Sequence, residues 1–342
     1  MNDISAPITD TETLQQHYVF RDGFVFTSIR KPVNVFNAIV LRNPSDCDCQ
    51  SPKAGISTRT LEEHVAFINR YQLKFAIVIA EDIHFLRDCP SLEIIDVIPA
   101  KTSSPDFDFS PLYTMPNLKS LSCSTYVGNP YNRNQKHTTI DYAFMNGLQD
   151  LKISDASDKG HYNIHNLSSL KSLQLTGASG QDLSGIIGSE ELDTLYLMQC
   201  KFRSLAGIEK AQGLRCLYLN YCRSLQDIGT LLSARDTLTA LEIENCPKIK
   251  DFSCLSEMHK LEFLKLRGGN SLPSLAFMKE LPNLKTFVFN MEVLDGDLSP
   301  CLNLSWAYSE RNRKCYNLRD SDLPKRKFVA GTEGIEDWRC FY

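Results

Sequence analysis

Leu192-Asp193-Thr194-Leu195-Tyr196-Leu197-Met198-Gln199-Cys200 is answered by Leu214-Arg215-Cys216-Leu217-Tyr218-Leu219-Asn220-Tyr221-Cys222, starting 22 positions further on. Leucine falls at positions 1, 4 and 6 of each copy, and cysteine at position 9. Moving toward the N-terminus, the frame returns at Leu170-Leu173-Leu175 and Leu148-Leu151-Ile153, and earlier at Leu118-Leu121-Cys123 and Leu92-Ile95-Val97. Toward the C-terminus it continues through Leu238-Leu241-Ile243, Leu261-Leu264-Leu266 and Leu284-Phe287-Phe289, with a degenerate copy starting at Leu304. Alternation at positions 4 and 6 sends these side chains to one side of a strand, while positions 3, 5 and 7 point to the other. One such unit cannot bury its own leucines; stacked units share a continuous core and pair their strands into a parallel sheet.

The second half of each unit supports this reading. Cys200-Lys201-Phe202-Arg203-Ser204-Leu205-Ala206-Gly207-Ile208 and Cys246-Pro247-Lys248-Ile249-Lys250-Asp251-Phe252 both supply an apolar return that closes a coil. The chain therefore resembles the leucine-rich-repeat family, in its short-repeat, internalin-like bacterial form, over roughly residues 70–310. The resemblance implies an α/β solenoid. A curved parallel sheet would line the concave side, short helices, 3₁₀ turns or loops the convex side, and a β/α cap the N-terminal end. It also implies a concave face used to bind a protein. One role it allows is neutralising a toxin.

The expected organisation is a cap over 1–72, the solenoid over 73–310 and a C-terminal cap or tail over 311–342. In the first segment, Tyr18-Val19-Phe20 and Phe24-Val25-Phe26 flank Arg21-Asp22-Gly23, a hairpin signal. Val33 to Leu41 reads as a strand, 42–58 as a loop, and Leu61 to Ile68 as a helix with Thr60 as its N-cap. Phe75 to Ala80 is expected to be the first strand of the sheet. The segment after 310 loses the repeat and collects Arg311, Arg313, Lys314, Arg319, Lys325, Arg326 and Lys327, which predicts a solvated cap or a docking site for an acidic partner.

The outward positions select the candidate site. Tyr196, Met198, Tyr218 and Tyr221 form an aromatic and methionine cluster, with Glu242, Glu244, Lys265 and Arg267 beside it and Trp306 and Tyr308 continuing it. Rigid aromatics favour interface hot spots, and mixed charge suits a protein partner better than a phosphate backbone. A second candidate is an insertion: the unit beginning at Leu118 runs 30 positions to Leu148, with the excess at 126–137. Cys200, Cys222 and Cys246 are expected to form a ladder of buried thiols at the tight bend, too strictly in register to meet disulfide geometry.

Composition narrows the function classes. The 342 residues are 42% hydrophobic and 23% charged, with a net charge of −4, so no basic excess points to nucleic acid or membrane. Met1 to Pro7 shows neither the basic nor the apolar segment of a secretory signal, and no apolar run approaches a membrane span. The 12 cysteines are then expected as reduced thiols of a cytoplasmic protein. No phosphate loop, nucleophile elbow or zinc-protease motif occurs. His161 and His165 stand four apart without a paired glutamate, and Cys47-Asp48-Cys49 supplies half of a zinc site. A Cys-x-Asp element also occurs in some leucine-rich-repeat ubiquitin ligases, but there within a helical domain that is not expected here. The expectation is a non-catalytic binding protein with no cofactor and no metal. An exported adhesin and the substrate-recruiting arm of an enzyme are the alternatives.

Overall fold

The computed structural model describes residues 19–21, 24–27, 38–42, 59–100, 103, 106–125, 138–156 and 160–330. The chain divides into two compact units, with the boundary between Asn163 and Ile164. The insertion at 126–137, the loop over 43–58 with Cys47 and Cys49, and Asp22-Gly23 lie outside the described residues.

In the first unit the strands are β1 (Val19–Arg21), β2 (Phe24–Thr27), β3 (Ala38–Arg42), β4 (Phe75–Ala80), β5 (Ile94–Pro99), β6 (Ser120–Cys123), β7 (Ile140–Asp141), β8 (Asp150–Ile153) and β9 (His161–Tyr162). The helices are α1 (Leu61–Tyr71) and α2 (Ser110–Tyr113). The β1–β2–β3 pairs are antiparallel, and β3–β4–β5–β6–β8 follow in parallel. The hairpin signal is thus realised, but β4 is not the first strand as the sequence suggested. The β3 strand pairs with it and the hairpin extends the sheet further. The physical reason is the exposed edge: an unpaired β4 would leave its N–H and C=O groups unsatisfied, and the cap strands supply partners.

Helix α1 starts where Thr60 closes a capping box. Its Oγ1 accepts from the Glu63 N–H at 3.2 Å, and Glu63 Oε2 accepts from the Thr60 N–H at 2.8 Å, an arrangement worth about 1 kcal/mol. The helix buries His64 and Ile68 and sets His64 and Phe67 against the ring of Phe24, at 5.1 and 4.2 Å between centroids.

On the repeat face of this unit the alternation rule meets an exception. Asp96, at an outward position, is only 5% exposed. Burial pushes its carboxyl up to about 6, against a hydrogen bond from Ser122 and the charge of Lys152. Burial likewise pulls the Lys152 ammonium down to about 8. The raised Asp96 carboxyl makes folding pH-dependent. Below the ordinary value of 3.8 both folded and unfolded states hold the proton; as pH rises through 3.8 and then about 6, the unfolded chain releases it first and folding loses stability. Asp96→Asn is therefore expected to gain about 2–3 kcal/mol relative to the parent chain between pH 3.5 and pH 7. Urea unfolding of both proteins at the two pH values measures it; a pH-independent difference would show that Asp96 is not the buried acid.

The second unit contains β10 (Ser172–Thr176), β11 (Thr194–Met198), β12 (Cys216–Asn220), β13 (Ala240–Glu244), β14 (Phe263–Arg267), β15 (Ser271–Leu272), β16 (Thr286–Phe289), β17 (Glu292–Val293) and β18 (Trp306–Ser309). The order β10–β11–β12–β13–β14–β16–β18 is parallel and in register, so that Leu173, Leu195, Leu217, Leu241, Leu264, Phe287 and Ala307 align across it. Each of these seven is at most 1% exposed, which places the shared core on one side of the sheet. Short 3₁₀ turns such as Ile208–Lys210, Ser253–Glu257 and Ala276–Glu280 occupy the return path.

Three successive coils turn out of their strands in the same way. Gln199, Tyr221 and Asn245 adopt left-handed φ values of 55°, 56° and 54°. Their N–H groups then donate to Asn220, Glu244 and Arg267 carbonyls of the next coil at 2.8, 2.8 and 2.9 Å. One residue later the Cys200, Cys222 and Cys246 thiols donate to the Leu175, Leu197 and Leu219 carbonyls, each at 3.5 Å. The cysteines therefore satisfy backbone groups at the bend, as expected for a buried ladder. The hydrogen bond with Cys222, together with burial, holds the Cys200 and Cys246 thiols well above their ordinary range.

The segment after β18 does not follow the expectation of a merely solvated cap. Asp320–Asp322 forms a turn, and Leu323 is buried. The Ala307 N–H donates to the Pro324 carbonyl and the Arg326 N–H to the Ser305 carbonyl, both at 2.9 Å, while Lys325 bridges Trp306 in antiparallel fashion. The Val329 N–H then donates to Thr286 Oγ1 at 2.9 Å. Residues 323–329 thus seal the edge of β18 and cross onto the outward face of β16. The basic residues of this stretch ride on a backbone held by the buried Leu323 and Val329.

Candidate functional site

Tyr196 and Tyr218 occupy paired positions on β11 and β12, which places their rings one above the other. The rings stack with centroids 5.4 Å apart and planes 24° apart. Tyr196 accepts a 2.7 Å hydrogen bond from Asn220 Nδ2, which fixes the dyad laterally. Burial raises the Tyr196 hydroxyl above its ordinary value, so it stays protonated at neutral pH. Met198 lies half-buried on the same face. Tyr221 stands just beyond β12, 41% exposed, in a left-handed backbone conformation that glycine or asparagine adopts more cheaply.

Next along the sheet the register converts sequence charge into a network. Lys265 on β14 reaches Glu242 at 3.0 Å and Glu244 at 3.2 Å, both on β13. Arg267 reaches Glu244 at 3.6 Å and also pairs with Glu310. Asn290 donates to Glu310 at 3.1 Å and accepts from the Gly268 N–H at 2.7 Å. Each cation already lies against two carboxylates. The side chains of Glu242 and Lys265 are only 14% and 16% exposed, so water screens this pair less than an open surface pair.

Beyond the network an open groove of about 400 Å³ is lined by Glu242, Phe263, Lys265, Arg267, Val288, Trp306, Tyr308 and Phe328. Phe328 comes from the C-terminal segment and meets Phe263 and Trp306 edge-on, with centroids 5.9 and 5.8 Å away. Lys325 lies 5.8 Å from the Trp306 ring and 5.3 Å from the Tyr308 ring, a cation–π position over both.

Residues 182–320 match a family model described as the At1g61320/AtMIF1 LRR domain. With the in-register coils and the position-9 thiols, this decides the class. The fold is that of leucine-rich-repeat proteins. Among solved structures it is similar to an internalin, inlF, from Listeria monocytogenes, at 18% identity and a TM-score of 0.52, covering 77% of this chain and 76% of that one. It is also similar to the functional domain of InlJ from Listeria monocytogenes, which includes a cysteine ladder, at 15% identity and a TM-score of 0.50. That match covers 73% of this chain and 54% of InlJ's. Both are likenesses of fold. No curated protein matches.

The ten residues picked out from the repeat frame fall into three neighbouring groups. Tyr196 and Tyr218 form the dyad, with Met198 and Tyr221 on the same two repeat units; Glu242, Glu244, Lys265 and Arg267 form the network; Trp306 and Tyr308 line the groove. Position 3 departs from the outward expectation, since Thr194, Cys216, Ala240, Phe263 and Thr286 are all buried. Tyr218 packs against the Cys216, Ala240 and Phe263 cluster, and the C-terminal segment crosses above Thr286 and Phe263. Phe263, Val288 and Glu310 were visible in the repeat frame as outward residues, but nothing singled them out. Phe328 carries no signal in sequence, because it lies after the periodicity ends.

His161 has a structural setting. Its ring nitrogens bond Tyr142 Oη at 3.0 Å, Thr125 Oγ1 at 3.2 Å and the Asp155 carbonyl at 3.2 Å. His165 is exposed. Among the described residues no group of three or more His, Cys, Asp or Glu side chains is placed to hold a metal ion, and no helix is long and apolar enough to cross a membrane.

Proposed function

We propose that this protein is a non-catalytic binding module that grips a protein partner on the outward face of β11–β18. The observation that carries the reading is the stacked, half-buried Tyr196–Tyr218 dyad set beside a charge network of both signs. Rigid aromatics lose little conformational freedom on binding, and their half-buried bases hold them ready in one geometry. Glu242, Glu244 and Glu310 outnumber Lys265 and Arg267 across the network, which disfavours a phosphate backbone. Nine free cysteines among the described residues support a reducing, cytoplasmic setting.

The test is capture of a stoichiometric partner from lysate of the source cell, followed by titration of the purified pair. The Tyr196→Ala/Tyr218→Ala double variant is expected to weaken binding about a hundredfold, in the range of two moderate hot spots. A thermal melt confirms that it folds. Parent-like affinity in the folded double variant would move the contact surface elsewhere. Cell fractionation separates this reading from that of an exported adhesin, which requires the protein outside the cytoplasm.

A further inference from the structure

We propose that the groove between β14, β18 and the C-terminal segment is an anchor pocket for one uncharged aromatic side chain of a protein partner. The inference rests on the face-binding reading above and names the chemistry of one part of that face.

The chain itself displays the mode of recognition. Residues 324–326 run antiparallel along the edge of β18, and the chain then crosses to β16, where the Val329 N–H donates to Thr286 Oγ1. One ring, that of Phe328, sets its edge against Phe263 and Trp306 with planes at 70° and 85°. These are the preferred edge-to-face arrangements of aromatic rings. Yet Phe328 is 50% exposed and Tyr308 41% exposed, while Phe263 and Val288 beneath are buried. The apolar lining is thus half-covered, with room of about 400 Å³ left open beside it. A second ring entering there would cover Phe328 and Tyr308 together.

Charge selects the kind of side chain. A cationic anchor would compete with Lys325, which already holds the cation–π position over Trp306 and Tyr308. An anionic anchor would meet Glu242 in the lining, while the lining cations Lys265 and Arg267 are already engaged by Glu242, Glu244 and Glu310. A neutral aromatic avoids both penalties and gains the ring contacts.

The full chain, labelled with 5-fluorotryptophan, gives two ¹⁹F signals, Trp306 and Trp338, and Trp338→Phe assigns them. Three capped amino acids serve as probes: N-acetylphenylalaninamide, N-acetyllysinamide and N-acetylaspartic acid amide. The phenylalanine probe is expected to shift the Trp306 signal saturably, at concentrations at least about tenfold lower than either charged probe. Tyr308→Ala is expected to weaken that response about tenfold or more. A Trp306 signal unmoved by the aromatic probe, or moved equally by all three, would overturn the proposal. So would a partner whose capture is lost in the Tyr196→Ala/Tyr218→Ala variant but unchanged in a folded Tyr308→Ala variant, a result that leaves the face-binding reading standing.

Discussion

Gly207→Ala is expected to lower the unfolding free energy by about 3–5 kcal/mol, although it adds a single methyl group. Two penalties combine. Gly207 has φ +98°, outside the regions an L-residue with a side chain adopts readily, and left-handed backbone costs roughly 1–2 kcal/mol for such a residue. A Cβ at this place would also stand 2.4 Å from the Ser184 nitrogen and 2.5 Å from the Leu183 carbonyl carbon of the preceding coil. Those atoms are backbone and cannot rotate away. The Leu183 N–H donates to the Ala206 carbonyl at 2.8 Å, so separating the coils also strains the bond that joins them. Overpacking of this kind costs about 1–3 kcal/mol. Gly185→Ala, whose Cβ would meet nothing within 4 Å, is the control and is expected to change stability little. Denaturant midpoints of the two variants measure the contrast. Equal, small effects would mean that the coils are not in such close contact at Gly207.

Leu195→Ala is expected to cost about 3–5 kcal/mol, the upper part of the range for truncating a buried leucine. Leu195 is 0% exposed and is flanked in register by Leu173 and Leu217, themselves 1% and 0% exposed. Neighbours on both sides belong to hydrogen-bonded strands, so the coils cannot collapse freely into the space left behind. Gln174→Ala, on the outward side of the adjacent strand, is expected to stay within about 0.5 kcal/mol. Chemical denaturation of this pair reads the sidedness of the sheet directly. Comparable losses at both positions would contradict a leucine core confined to one side.

Loss of the Tyr196–Tyr218 dyad is expected to leave most of this stability intact, because both rings sit on the opposite side of the sheet from the leucine core. The fold and the contact face can therefore be perturbed separately, which makes the binding variants interpretable.

Much of the architecture was legible before any coordinates. A leucine spacing held over many copies can bury its side chains in few ways, and stacking in register is the one that also pairs every strand. The Thr60 N-cap and the cysteine ladder were readable for a related reason: each is a local solution to unsatisfied backbone groups at a helix start or a tight bend. The column of outward residues through Tyr196, Tyr218, Glu242 and Lys265 followed from the two-residue period of a strand.

What lay beyond that period was decided by tertiary structure. The hairpin's continuation past β4, the burial of Asp96 on a nominally outward position, and the passage of residues 323–329 over Thr286 depend on chain segments distant in sequence. The same holds for the groove, whose walls come from four strands and from Phe328. Repetition specifies how neighbouring coils stack because each coil meets an equivalent environment. It says nothing about where a non-repeating segment will land, since that depends on the shape and charge of a surface that exists only after the coils have assembled.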